Sequence, residues 1–507
     1  MGEKGNAIEL SVLSGFNENP AGRLLSESPD CENVVGLGSG FGVWRGRKHF
    51  FRDRLTLGAN SKVFAMRWPD DHPSLMVFQD GNLGALETGI LHGITGDLTF
   101  SSDKRNPISM TPYSRDRYVC GADYQRSQPW YWDGNIDHPA EAIETTDNPR
   151  VVCEFGGCLW GLGFENTPLY AWYSKRGEVT FTGAGAMEFR DGFASTLVGM
   201  RQLNRNMALV WGDKGLWAVQ FSSSWPEFST QQIDPYCDCV SDNSIVIVPG
   251  QGVFWQGRNN LWALVGNSVI DIGLSPDGRK VQRIYDLLRK RPQNSLQMCA
   301  SFWHRKRHGI LFSWPSVNCH AQKAFNEPKG LFLALKDLTL WPVSYGVESA
   351  AEWLYNNELV VLGSNRDGNI DIVDYNLDED YDDLLTWHWE SEWAGNAVGK
   401  TKFVRAYLSR PASGTRYVAA KFWKDYERDG VTGRFDLGRD YDAVAEHPSY
   451  DPGGPADEGL PPAPEAVCEA RIGLTGRRIK VRLSNEYGDD VYQGPEIPME
   501  SLTILTR

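Results

Sequence analysis

The sequence predicts an all-β fold, a β-propeller of six to eight blades followed by a small C-terminal β-sandwich, and three observations lead there. The 507 residues include 52 Gly, 27 Pro and 60 aromatic residues (19 Trp, 19 Tyr and 22 Phe). Many short strands joined by tight turns require that composition, because rings pack on pleated surfaces and glycine supplies positive φ. A hairpin unit recurs from about residue 34, and only one stretch has a convincing helical period.

Residues 1–33 are polar and rich in Gly, Asn, Ser and Pro, with one apolar stretch at 8–13. They read as an N-terminal arm, or an edge strand added to another sheet. The propeller is expected over 34–376. Its unit is an apolar or aromatic strand, a turn with Gly, Asn or Asp, and a second aromatic strand, as at 34–44, 75–86, 208–219, 252–264 and 359–373. Apolar alternation across a turn of residues that tolerate left-handed backbone marks a β-hairpin. Turn glycines at 40, 81, 121, 157, 215, 257, 309 and 368 lie 36–59 residues apart, which brackets the ~40–50 residues of a four-stranded blade. Ring closure leaves only short, protected edges; a stacked sandwich or prism of the same hairpins is the alternative.

The helical stretch follows Ser275 and Pro276, where Val281, Ile284, Leu287 and Leu288 form a stripe ending in Arg289, Lys290, Arg291 and Pro292. Basic residues suit a helix C-terminus, and the helix is expected as an insertion between blades. An acidic run at 378–383 marks a linker over 377–383. Alternating segments at 402–408, 416–423, 478–483 and 502–505 then define the sandwich over 384–507, with the Pro- and Gly-rich 448–464 as its long loop.

The formal charge of −14, from 65 acidic and 51 basic residues, argues against a surface that grips nucleic acid by neutralising phosphates. An acidic wall does suit a conduit that DNA slides past. Nine cysteines, an odd number without a CxxC pair, read as reduced, buried thiols rather than a disulfide framework or a zinc site. No apolar run approaches the ~20 residues that span a bilayer and the first residues have no signal-type segment, so a soluble, unprocessed chain without membrane insertion is expected.

Residues 394–401, Ala-Gly-Asn-Ala-Val-Gly-Lys-Thr, fit a relaxed Walker A pattern. A phosphate cradle needs a helix after its loop, whereas 402–408 alternates like a strand, so a hairpin loop is expected. Asp80, Asp133, Asp213 and Asp367 are candidate carboxylates for glycosidase chemistry in a propeller channel, but each sits in or beside a turn, where Asp serves the backbone. The acidic run, with Asp371 and Asp374 upstream, offers hard oxygen ligands for Ca²⁺; a solvated linker is the plainer reading. Residues 304–308, His-Arg-Lys-Arg-His, lie between two aromatic strands and form a hairpin tip. Arg305, Lys306 and Arg307 are therefore the candidate contact to DNA phosphates or to an acidic neighbouring subunit, against a solvated turn that suppresses strand aggregation. The Trp-rich strands read as core rather than as a carbohydrate platform. No catalytic or metal-binding set emerges, so neither enzymatic activity nor a cofactor is expected.

Four stretches follow a distinctive order: 169–174 with Phe181; 208–219 with the polar 237–246; 252–257, 261–264 and 269–273 leading into the helix; and 330–343. Together with 389–403, this order resembles the tail hub or nozzle proteins of short-tailed bacteriophages, also called tail tubular or DNA-stabilisation proteins. The likeness is one of strands and turns over roughly two thirds of the chain. It implies a structural virion protein of the phage tail, made in the host cytoplasm and assembled as a ring, typically a hexamer, below the portal and adaptor. It further implies portal, adaptor and tail proteins as partners, transient passage of genomic DNA through the ring, and no catalytic residues. The rival reading is a carbohydrate-active or receptor-binding propeller acting on the host surface; a cellular propeller scaffold is a third.

Overall fold

The computed structural model describes residues 6–10, 28–36, 41–44, 47–51, 60–70, 72–79, 81–87, 89–100, 107–181, 185–190, 192–222, 227–274, 284–289, 291, 293–314, 329–344, 346–364, 370–374, 379–380, 383–384, 387–391, 393, 399–408, 417–426, 428–436, 466–471, 475–476, 478–484 and 499–506. Among the described residues, seven four-stranded antiparallel sheets form seven blades of a propeller. Blades one to six are continuous in sequence, at 60–93, 109–142, 151–188, 197–234, 246–271 and 300–343. Blade seven takes three strands from Ser349–Tyr355, Glu358–Ser364 and Ile370–Val373, and its outermost strand from Lys48–Phe51.

First strands lie beside one another from blade two to three, three to four, five to six and six to seven, and Ser349–Tyr355 of blade seven packs beside Asn60–Arg67 of blade one, while shared buried clusters join blade one to two and blade four to five. The first strand of each blade therefore lines the axis, and the ring is closed. Within each meander the turns between strands one and two and between three and four fall on one face. The turns between strands two and three share the opposite face with the blade-to-blade connections.

Four of the five hairpins legible in the sequence, at 75–86, 208–219, 252–264 and 359–373, are the second and third strands of blades one, four, five and seven. These strands are covered by neighbouring blades on both sides, which is why Leu75, Met76, Val77 and Phe78 are buried in succession. Gly121 is not a turn residue. It lies inside Tyr118–Ala122, where a Cβ would come within 2.2 Å of the Trp130 ring. Gly40 and Gly368 lie outside the described residues. Trp130, Trp132, Trp160, Trp211, Trp255 and Trp341 are fully buried; Trp211 and Trp255 meet edge-on at 5.7 Å between blades four and five. These rings are the packing between blades, as expected.

The fifth hairpin belongs elsewhere. Val34–Gly36 pairs with Phe41–Val43, whose Phe41 pairs with Met499. One sheet of the sandwich joins these strands to Met499–Thr506, Gly399–Leu408 and Ala466–Arg471, with Asn6–Leu10 on Met499–Thr506. The other joins Cys31–Glu32 to His388–Glu390, Ile479–Ser484, Tyr417–Lys424 and Val431–Asp436. The sandwich is thus built from both ends of the chain, and the propeller's own strands begin at Lys48 rather than at 34. A short apolar hairpin looks the same locally in either sheet; only its long-range partner assigns it.

The sandwich is continuous with blade six. Cys31, Val34, Trp44 and Trp389 share one buried cluster with Phe332, Leu340 and Trp341. Asn33, at φ 54°, donates its backbone N–H to Pro342 O at 3.0 Å, and its side-chain Oδ1 accepts from Ser344 N at 2.9 Å. The acidic segment contributes a small ribbon, Glu379–Asp380 paired with Asp383–Leu384.

The described part of the helical stretch is Tyr285–Arg289, with 275–283 outside the described residues. Arg291 is buried rather than solvated at the helix end. Its guanidinium donates to Leu288 O at 3.1 Å, Gln256 Oε1 at 3.0 Å and Gly257 O at 2.7 Å, pinning the insertion to blade five.

Candidate functional site

The basic tip predicted from the sequence is the first turn of blade six. Ala300–His304 runs into a 3₁₀ turn, Arg305–Arg307, and Gly309–Ser313 returns. His304 Nδ1 accepts from Arg307 N at 3.3 Å, and His308 closes the turn at φ 49° by donating to Arg305 O at 3.1 Å. With Nδ1 accepting, the proton of a neutral ring sits on Nε2, 3.1 Å from Asp374 Oδ2.

The three basic residues have separate fates. Arg307 turns inward: Nε and Nη2 donate to the two oxygens of Asp374 at 2.5 and 2.6 Å, and the guanidinium lies 4.9 Å over the Trp44 ring. Burial works against the Asp374 charge, yet the Arg307 guanidinium and His304 together hold its carboxyl well below the usual range. Arg305 stacks on Trp303 at 4.7 Å and pairs with Glu352 at 2.8 Å. Lys306 is exposed and has no ion pair among the described residues. Of the triplet, only Arg305 and Lys306 face a potential partner; Arg307 is a structural bolt between blades six and seven.

Beside this turn a cavity of about 460 Å³ opens between blades six and seven. Leu359, Val361 and Val373 form apolar lining, while Arg305, Lys306 and Glu352 supply charge. Leu354 and Leu359, directly paired across their strands, stay 59% and 49% exposed. The arrangement suits a shallow contact with mixed apolar and charged groups.

The candidate carboxylates do not converge. Asp213 lies between the second and third strands of blade four, and Asp133 between the third and fourth of blade two, on opposite faces of the ring. Asp213 accepts from the backbone N–H of Ser195 at 2.7 Å and of Thr196 at 3.2 Å; Asp133 accepts from Asn135 N at 3.0 Å and lies 2.8 Å from His138 Nδ1. Both hold loops, as turn aspartates do. Asp80 and Asp367 lie outside the described residues, as do 394–398 of the Walker-like segment, whose Lys400 and Thr401 lie on the strand Gly399–Leu408. Among the described residues no group of three or more His, Cys, Asp or Glu is placed to hold a metal ion. Cys120, Cys153, Cys158, Cys237, Cys239 and others described are free and buried; burial pushes Cys153 and Cys239 up to about 12 and Cys158 up to about 11, so they are not poised nucleophiles.

A second cluster, missed in the sequence, lies on the axis. Lys62, on the first strand of blade one, donates to Asn243 Oδ1 in the 3₁₀ turn Asp242–Ser244 that leads into blade five. Blades one and five are not neighbours in a ring of seven, so this bond crosses the channel. Arg201 of blade four joins it, with Nη1 donating to Asp242 Oδ1 at 2.5 Å and Nη2 to Asp242 O at 2.7 Å. The signal was present: a lysine directly before the apolar run 63–66 of its strand, and a polar run, Ser-Asp-Asn-Ser, where an axial strand should begin.

No family model matches the chain, and no curated protein matches it in sequence. Solved structures similar to it include the extracellular domain of BT4673 from B. thetaiotaomicron, at 10% identity and a TM-score of 0.40 over 77% of this chain and 47% of that one. The chain therefore spans about half of that protein. YCF48 from Cyanidioschyzon merolae is 8% identical with a TM-score of 0.39, over 65% of this chain and 98% of the other. Hydrazine synthase from Kuenenia stuttgartiensis is 10% identical with a TM-score of 0.39, over 65% and 99%.

Proposed function

We propose that this chain is a structural virion protein of a phage tail, a ring-forming hub or nozzle subunit that provides or closes the channel for genome ejection. The observation that carries the reading is the double closure of the scaffold. Lys48–Phe51 locks blade seven, and both chain ends are woven into a sandwich that shares one core with blade six. A body tied at both ends resists being pulled open, which suits a load-bearing wall. The order of strands and turns that resembles tail hub proteins supports the same reading.

Since Lys62 and Asn243 span the axis, the DNA passage in this reading is the lumen enclosed by several copies, not the hole through one propeller. The net charge of −14 keeps that wall from binding DNA tightly. Arg305 and Lys306 then serve contact with an acidic neighbouring subunit. Native mass measurement and electron microscopy of the protein with its portal, adaptor and tail partners test this. A ring with an open centre is expected; a protein that stays monomeric and never enters particles would refute it.

One observation favours the rival glycan- or receptor-binding reading. Phe193 and Tyr236 stack at 5.8 Å while 64% and 73% exposed, an aromatic surface of the kind enriched where proteins meet partners. Glycan-array binding abolished by Phe193→Ala would select that reading, and a blank array would remove it.

A further inference from the structure

The axial cluster has more hydrogen-bond donors than acceptors. An ammonium only donates, so the Asn243 amide must present Oδ1 to Lys62, and its orientation is not open to a flip. Nδ2 is thereby turned aside. It is buried in a residue only 8% exposed and meets no acceptor; the hydroxyl of Ser241, at 0% exposure two residues earlier, has no partner either. Buried donors are rarely left in this state, because each has surrendered its water without replacement.

Charge points the same way. Asp242 is committed to Arg201 through its carboxylate and its carbonyl, leaving Lys62 with a neutral amide as its bonded partner. Burial brings the Lys62 ammonium down to about 8, with Asp242 pulling it up and Arg201 pushing it further down. Cys153 and Cys239, near Asp242, add no negative charge because their thiols are held protonated. Tyr124, which feels both Arg150 and Asp242, carries the Arg150 guanidinium over its ring at 4.3 Å, and Arg150 Nε is again buried without a partner. Three cations, Lys62, Arg201 and Arg150, thus stand against two buried carboxylates that are already engaged, Asp242 by Arg201 and Asp123 by Ser127, in a chain whose overall charge is −14.

We propose that the propeller axis binds a small oxyanion, a phosphate or carboxylate group, held between the Lys62 ammonium and the Asn243 amide. Such a group supplies the acceptor that Nδ2 lacks, adds a charged acceptor for the Lys62 ammonium beside the neutral amide oxygen, and neutralises the surplus charge. It arrives as a free ion or as the terminus of a larger molecule entering from the face that carries the blade connections. This site is independent of the tail assignment.

The test uses the full chain in a buffer free of phosphate and carboxylates. Inorganic phosphate, phenyl phosphate and acetate are each titrated by calorimetry to about 10 mM, a range that captures millimolar affinities. Saturable binding of at least one is expected, weakening about tenfold between pH 7 and pH 9 as the lysine loses its proton. Phosphate and acetate separate the two chemistries; phenyl phosphate shows whether a terminal group is admitted. Asn243→Asp places a carboxylate beside Lys62, so this variant is expected to remain folded and to lose the bound anion, and Lys62→Met to lose it as well. No saturable binding by any of the three, or binding retained in both variants, would overturn the proposal.

Discussion

Asp374→Asn is the substitution whose consequence the geometry defines most sharply. The Asp374 side chain is 3% exposed, accepts two bonds from Arg307 and lies against His304. The amide keeps the volume but removes the charge, leaving a guanidinium with a side chain 13% exposed without its counterion. Removing one partner of a buried pair costs about 3–5 kcal/mol. The residual exposure of Arg307 and its place over Trp44 put the expected loss near the lower end, about 3 kcal/mol. Arg305→Ala is the internal control: its pair with Glu352 has side chains 55% and 32% exposed, and such surface pairs contribute about 0–1 kcal/mol. Urea unfolding followed by tryptophan fluorescence, with hydrogen exchange of the Ile370–Val373 amides, measures both. Acidity adds a second readout. The folded carboxyl titrates below its unfolded value, so its stabilisation is complete above about pH 4 and drains as pH falls below that; Asp374→Asn should lack this part of the acid response. A loss under about 1 kcal/mol, or an equal loss from Arg305→Ala, would refute the division of the basic turn into a buried bolt and an exposed pair.

Gly121→Ala drives a methyl to within 2.2 Å of the Trp130 ring; overpacking of this kind costs about 1–3 kcal/mol, and an unchanged melting temperature would contradict the packing role. Lys306→Glu should leave unfolding within about 0.5 kcal/mol, as surface changes do, while weakening ring assembly in native mass spectra; unaltered assembly would remove Lys306 from the interface. Alkylation of Cys153 and Cys239 at pH 8 should be negligible until denaturant is added, because their thiols are pushed up to about 12, and rapid labelling of the folded chain would show them to be accessible thiolates.

The propeller was legible in sequence because its middle strands advertise themselves. Covered on both sides, segments such as Leu75–Phe78 and 208–211 are unbroken apolar runs, and the turn between them needs residues that tolerate positive φ, as Gly81 and Gly215 do at 79° and 89°. The outer strands are less distinctive: Glu141–Ala142 is two residues long and exposed, and Ile90–Gly93 is half-exposed. That is why a turn-glycine spacing counted blades only approximately, and why Gly121, a packing glycine, was mistaken for a turn. The site residues were harder still. Whether an arginine in His-Arg-Lys-Arg-His faces solvent or an aspartate 67 residues later depends on a pairing between blades that no local pattern carries. The axial lysine follows the same rule, since its partner lies 181 residues away.

The N-terminal strands carry the clearest consequence of this long-range wiring. Asn6 pairs with Thr506, and Cys31 with Trp389, so neither pairing forms until the opposite end of the chain is in place; contacts of such separation are closed late and slowly. Lys48–Phe51 obeys the same constraint through Ile370–Val373. Two truncations separate these roles. Removing residues 1–43 takes away the sandwich strands Asn6–Leu10, Cys31–Glu32, Val34–Gly36 and Phe41–Val43 but spares the fourth strand of blade seven. Removing residues 1–51 takes that strand as well, exposing the edge of Ile370–Val373. Hydrogen exchange should show those 370–373 amides that face Lys48–Phe51 still protected in the shorter deletion and unprotected in the longer one, while the amides that face Glu358–Ser364 keep their ladder in both. Equal protection in both would mean that the ring holds without its N-terminal clasp, and the load-bearing argument built on double closure would fail with it.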